Sequence, residues 1–324
     1  MLPNFNYFRP DTLKEAIREL QSPGALLHSG GTDLLGCLHD GVLTAEKLIS
    51  LTALTELSGI GSTSDGGRRL GALTTITALA ANGDLDKNYP GLVQAAASVA
   101  SPQLRNQGTL GGNLCQKPRC WYYRGEFDCL RKGGPKCYAV AGQNQFHCLL
   151  GGSQCYIVHP SDPAAALLAL DARVEIAGPG GKRTVAVENF HVPPQKDPHR
   201  ETFLEEGEIV TAVLLPPPQS GRRSSYRKVR ARQSWDFAVA GVALALQING
   251  DIVSDSRVVL SGAAPVPWRS KMAEEALRGR TLDSRSARAA AEAAMAEARP
   301  LAHNGYKVPL FKGLIEDELL KLAG

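Results

Sequence analysis

The sequence predicts an α+β protein in three parts. Three observations carry that expectation. A small strand-and-helix unit fills residues 1–55, a proline run breaks the chain at 216–221, and hairpin strands with alanine-rich helices lie beyond the break. The expected divisions are 1–55, 56–218 and 222–324, the second carrying an insertion at about 115–156.

Taken in order, the chain opens as strand then helix. Thr12-Leu13-Lys14-Glu15 has the form of a capping box, and Leu13, Ala16, Ile17 and Leu20 keep helical spacing until Pro23-Gly24. Ala25-Leu26-Leu27 is a short apolar run expected to be a buried strand, and Lys47–Leu51 another. Arg68–Leu73 reads as a strand, with helices near Thr75–Ala81 and Pro90–Ala100. Pro163 to Leu170 reads as a helix. Arg173–Ala177 and Thr184–Val187 alternate around a glycine-rich turn, as a hairpin does. Beyond the proline run come strands near Tyr226–Arg232 and Ala238–Ile248, an Asn249-Gly250 turn, and a strand at Arg257–Leu260. Helices over 284–298 and about Val308–Leu322 close the chain.

Composition excludes several classes. The 324 residues are 43% hydrophobic and 21% charged, as in an ordinary globular protein. A net charge of +4 is too small to imply nucleic acid. No apolar run approaches the ~20 residues of a membrane span, and Met1–Pro10 lacks the form of a secretory signal. The expected location is therefore the cytoplasm, or the periplasm where a folded complex is exported on a partner's twin-arginine signal.

Two glycine turns could bind an anion. Ser29-Gly30-Gly31-Thr32-Asp33 follows a strand, and glycine lets backbone N–H groups face a pyrophosphate without a Cβ in the way. Taken alone, the turn reads better as a plain strand-to-helix connection, because neither phosphate-loop fingerprint is present. Gln107-Gly108-Thr109-Leu110-Gly111-Gly112-Asn113 carries the same ambiguity. Asp162, before Pro163, fits a helix N-cap without any ligand.

Six of the seven cysteines fall between 115 and 155. Their spacing, Cys120-x8-Cys129-x7-Cys137-x17-Cys155 with Cys115 and Cys148 besides, contains no C-x2-C pair and matches no usual ferredoxin run. From spacing, an iron–sulfur cluster and structural zinc rank level, above disulfides and free thiols. Lys117, Arg119, Arg124, Arg131, Lys132 and Lys136 face only Glu126 and Asp128 in this stretch, and such cations would offset a cluster's charge and lower the thiol pKa values. In Tyr226–Arg232, alternation would put Lys228, Arg230 and Arg232 on one strand face, for phosphate, flavin, an acidic partner or solvent.

Together these segments resemble a family. Leu26-Leu27-His28-Ser29-Gly30-Gly31-Thr32-Asp33-Leu34, then Thr109–Leu114, Ser161-Asp162 and Tyr226–Arg230 are similar to the FAD-binding subunits of the xanthine dehydrogenase family of molybdenum hydroxylases, in order along essentially the whole chain. The cysteine insertion resembles that of the aldehyde oxidoreductase flavin subunits that carry a [4Fe–4S] cluster, and also that of 4-hydroxybenzoyl-CoA reductase. Arg105-Asn106-Gln107, His159-Pro160-Ser161-Asp162 and the proline run favour the aldehyde oxidoreductase type.

The resemblance implies a two-subdomain FAD-binding fold of the PCMH type followed by a C-terminal sheet-plus-helices domain. It implies that residues 26–34 wrap the FAD pyrophosphate and that Thr109, Gly112 and Asn113 continue the site. Asp162 would contact the cofactor and Lys228 would lie near the flavin. Cys120, Cys129, Cys137 and Cys155 match the cluster ligands, while Cys115 and Cys148 do not. Ser29 stands where relatives usually have alanine. The implied function is an electron relay, from an aldehyde-oxidising molybdopterin subunit through a [2Fe–2S] subunit to FAD and an external acceptor. Competing readings are a 4-hydroxybenzoyl-CoA reductase-like dehydroxylase subunit, a flavin-free zinc-stabilised interaction module, and a standalone FAD oxidase.

Overall fold

The computed structural model describes residues 2–323. The first unit alternates β1 (Asn6–Phe8), α1 (Leu13–Leu20), β2 (Ala25–His28), α2 (Leu34–His39) and β3 (Lys47–Ser50). Thr12 caps α1, its Oγ1 accepting from the Glu15 N–H at 3.2 Å. Ala16 is buried, with Leu13, Ile17 and Leu20 against the same core, as the spacing predicted. The three strands pair in parallel in the order β1-β3-β2.

The second unit runs β4 (Ile60–Ser62), β5 (Arg68–Gly71), α3 (Ile76–Ala80), α4 (Gly83–Asn88), α5 (Pro90–Ala97), α6 (Pro102–Gln107), α7 (Leu110–Leu114), α8 (Trp121–Arg124) and α9 (Asp162–Ala169). It continues with β6 (Arg173–Gly178), β7 (Gly181–Ala186) and β8 (Ile209–Leu215), in an antiparallel sheet of order β4-β5-β8-β6-β7. Every residue of α9 is buried. Such a helix shows no polar face and must lie between layers. It packs against β10 and β11 of the last unit and against α5 of its own.

The last unit is β9 (Arg222–Val229), β10 (Ala240–Asn249), β11 (Ile252–Ser261), β12 (Trp268–Arg269), α10 (Lys271–Leu277), α11 (Ser284–Ala294) and α12 (Lys307–Ala323). Its sheet is antiparallel, in the order β12-β11-β10-β9. Alternation divides β10 between two cores. Ala243 and Ala245 join the α5–α9 layer, while Val242, Leu244 and Leu246 join α10–α12. Burial on both faces explains why β10 reads as a continuous apolar run. Each fully buried leucine here contributes about 2 kcal/mol.

Three expectations change. Gly111-Gly112-Asn113 is not a turn but the body of α7, capped by Thr109. Ser161, not Asp162, caps α9: its Oγ accepts from the Ala164 N–H at 3.1 Å, and Asp162 is the first helical residue. Strand β9 ends at Val229, so Arg230 and Arg232 do not share a strand face with Lys228. Among the described residues no helix is long and apolar enough to cross a membrane.

Candidate functional site

All fourteen residues expected at the cofactor line one cleft of ≈ 600 Å³. Its floor is the meeting of the two glycine segments. A Cβ on Gly30 would lie 1.8 Å from the Gln107 carbonyl oxygen, so only glycine lets the segments approach this closely. Gly31 has φ +71°, the left-handed region. Ser29 and Thr109 share a hydrogen bond at 3.0 Å, which an alanine at 29 could not make. Among the described residues, the backbone N–H groups of Gly30, Gly31, Thr32 and Asp33 find no acceptor. Free N–H groups in a glycine cradle fit an anionic diphosphate. Gly30→Ala is expected to push the segments apart and weaken FAD binding about 100-fold, or ~2.7 kcal/mol. Titration of flavin fluorescence on the apoprotein measures it, and wild-type affinity would show the approach to be dispensable.

Four of the expected residues, Asp33, Asn113, Asp162 and Lys228, line the cleft with their polar groups already engaged. Asp33 accepts from the Lys117 backbone N–H at 2.7 Å and from Arg124 Nη2 at 2.7 Å, with Arg119 Nη2 at 2.9 Å. It therefore anchors the cysteine insertion to the first glycine turn. Asp162 accepts from Lys228 Nζ at 2.7 Å and from the Tyr226 hydroxyl at 2.6 Å. The Lys228 and Asp162 side chains are 3% and 4% exposed, so this is a buried ion pair in the wall. Burial, reinforced by Asp162, raises the Tyr226 pKa well above its usual value, so the hydroxyl stays a donor. Asn113 Oδ1 accepts from Ser161 Oγ at 2.5 Å and ties α7 to α9.

Cys120, Cys129, Cys137 and Cys155 line a second, narrow cavity with Tyr122, Tyr123 and His147. Its free space is only ≈ 10 Å³, too small for a cluster unless the cavity widens. Cys115 lines the large cleft instead, and Cys148 is buried outside the four-cysteine cavity. Among the described residues, no group of three His, Cys, Asp or Glu side chains is placed to hold a metal ion. A tetrahedral zinc site needs its sulfurs about 3.8 Å apart, at ~2.3 Å from the metal. Thiolates on a cluster bind different irons and stand farther apart.

The expected role of the cations is corrected. Arg119 and Arg124 pair with Asp33, while Arg131 and Lys117 pair with Glu201, so four of the six are tethers. Arg131 lowers the Cys155 pKa by its charge and a hydrogen bond, but not enough to offset burial. Burial dominates, pushing Cys120 up to about 12 and raising Cys155. A bare thiolate is disfavoured here, and ligation must replace the proton with a metal.

The match to known proteins spans both glycine segments and the last sheet. The model of the FAD binding domain in molybdopterin dehydrogenase matches residues 3–218, and that of the CO dehydrogenase flavoprotein C-terminal domain matches 224–322. The chain belongs to this family of FAD-binding subunits. The aldehyde oxidoreductase FAD-binding subunit PaoB of Escherichia coli (strain K12) is 40% identical over 313 residues, 95% of each chain. The xanthine dehydrogenase FAD-binding subunit of Escherichia coli O157:H7 is 30% identical over 297 residues, covering 91% of this chain and 86% of that one. Among solved structures, quinoline 2-oxidoreductase from Pseudomonas putida 86 superposes with TM-score 0.78 at 25% identity, covering 100% of this chain and 98% of the other. Carbon monoxide dehydrogenase from Hydrogenophaga pseudoflava gives 0.76 at 26%, covering 98% and 96%. The protein is thus an FAD-binding oxidoreductase subunit of molybdenum hydroxylase type.

Sequence reasoning missed part of this family's cleft. Leu43, Ile76, Leu204, Trp235 and Phe237 also line it, from four separate segments. Trp235 held a partial signal. It is a bulky aromatic in a polar stretch, and it takes φ +51° with Arg232 5.8 Å above its ring.

Proposed function

We propose that this chain is the FAD and [4Fe–4S] subunit of a molybdenum-dependent aldehyde oxidoreductase, working with a molybdopterin large subunit and a [2Fe–2S] small subunit. The observation that carries the cluster is the convergence of Cys120, Cys129, Cys137 and Cys155 on one cavity, although 35 residues separate the first from the last. The aldehyde substrate class rests on 40% identity with a subunit named for aldehyde oxidoreductase. When bound, FAD would let single electrons from partner [2Fe–2S] clusters leave in pairs for an external acceptor. The chain's own residues hold and orient it. The free N–H groups of 30–33 would take the diphosphate, while Lys228, held in the wall by Asp162, would help position the flavin.

The test is anaerobic mixing of the intact complex with substrates while flavin absorbance near ~450 nm is followed. Bleaching by an aldehyde is expected, with no reoxidation of the prereduced flavin by a hydroxylated aromatic CoA thioester. Flavin that an aldehyde leaves oxidised, but that is reoxidised by the thioester after prior reduction, would make the chain a dehydroxylase subunit. Replacing the cavity cysteines tests the cluster separately. Cys129→Ser is expected to reduce iron on this chain from about four per molecule toward zero while one FAD remains. Unchanged iron would remove Cys129 from the ligand set.

A further inference from the structure

His147 belongs to none of the expected sites, yet it lines the four-cysteine cavity. Its Nε2 lies 3.3 Å from Cys120 Sγ. An iron-bound thiolate has no proton to give, so at such a contact the imidazole must be the donor. We propose that His147 donates an N–H···S hydrogen bond to Cys120 and acts as a positioning residue that sets the reduction potential of the cluster. The inference rests on the cluster reading given above.

The surroundings fix the backbone that carries this ring, whose Nδ1 is buried without a partner among the described residues. The His147 backbone N–H donates to the Asn144 carbonyl at 3.0 Å. Its own carbonyl accepts from Lys307 Nζ at 3.0 Å and from Asn304 Nδ2 at 3.1 Å. Lys307 donates also to the Gly262 carbonyl at 2.6 Å and is completely buried, as is Asn304. Asn144 Oδ1 in turn accepts from the His303 N–H at 2.8 Å. The C-terminal unit thereby holds, through residues 303–307, the backbone of the histidine whose imidazole lies 3.3 Å from Cys120 Sγ. A hydrogen bond to sulfur stabilises the reduced cluster, whose sulfurs carry more negative charge, and so raises the potential.

The experiment uses the complex purified anaerobically. Iron on the wild-type chain is counted first, and its absence would overturn the cluster reading and this inference with it. With the cluster present, its potential is measured by EPR-monitored redox titration in wild type, His147→Leu and His147→Gln. Leu removes the donor and is expected to shift the potential to more negative values. Gln, whose amide nitrogen can stand where Nε2 stands, is expected to restore most of the shift. A Leu variant with full iron and the wild-type potential would overturn the proposal, as would a Gln variant no different from Leu. Where neither variant retains iron, the wild-type protein decides. With ¹⁵N-histidine incorporated, pulsed EPR of the reduced cluster is expected to show coupling to a histidine nitrogen, and no coupling would overturn the hydrogen bond.

Discussion

Asp33→Ala is expected to destabilise the protein by about 3 kcal/mol and to loosen the FAD cleft and the four-cysteine cavity at once. Among the described residues the carboxylate is the one ion-pair partner of Arg119 and Arg124, and it accepts the Lys117 N–H as well. Asp33 and Arg124 are 16% and 14% exposed, so deleting the anion leaves one cation largely buried without a partner. Arg119, at 30%, can turn partly to water, which places the cost at the lower end of the range for broken buried pairs. The second consequence is geometric. Asp33 ends the glycine cradle, while Lys117–Arg124 lead into the four-cysteine cavity, so the variant releases the insertion from the FAD cleft. Urea unfolding gives the stability change, and flavin and iron retention after gel filtration give the loosening. Loss of less than ~1 kcal/mol, with both cofactors retained, would show that the tether carries no weight.

Lys228→Met is expected to cost about 3–5 kcal/mol, because it leaves the Asp162 carboxylate buried with only the Tyr226 hydroxyl to satisfy it. Adding Asp162→Asn to Lys228→Met removes the orphan charge, so the double variant is expected to regain a large part of that loss. A double-mutant cycle in urea measures the coupling. If the two changes simply add, the pair is not an electrostatic unit. The FAD dissociation constant distinguishes a second role. If Lys228 acts on the cofactor directly, the double variant recovers stability without recovering affinity, whereas recovery of both confines it to the wall.

Much of this was legible because it rests on local rules. The capped amphipathic α1, the Asn249-Gly250 hairpin and the alanine-rich α11 each carry their period and punctuation within a dozen residues. Motif order placed fourteen residues that the fold gathers into one cleft. What escaped was non-local. Strand β8 lies after a long irregular stretch and shows no alternation, since only Leu214 escapes full burial. The partners of Asp33 are 84 and 91 residues away, and nothing in either segment marks the pairing. Thr109 as the cap of α7 was hidden by its glycines, whose low helix propensity is overridden because Gly111 packs 2.9 Å from Ala72 at its would-be Cβ. The cations among the cysteines invited an electrostatic reading by composition. Only the fold reveals Asp33 and Glu201 as their partners.

The proposal that one chain holds both a flavin and an iron–sulfur cluster is tested by the iron, zinc and FAD content of this chain, separated anaerobically from whatever subunits accompany it. One FAD and about four irons per chain without zinc are expected, with broad brown absorbance under the flavin bands. Zinc in place of iron, or flavin with no metal at all, would contradict it.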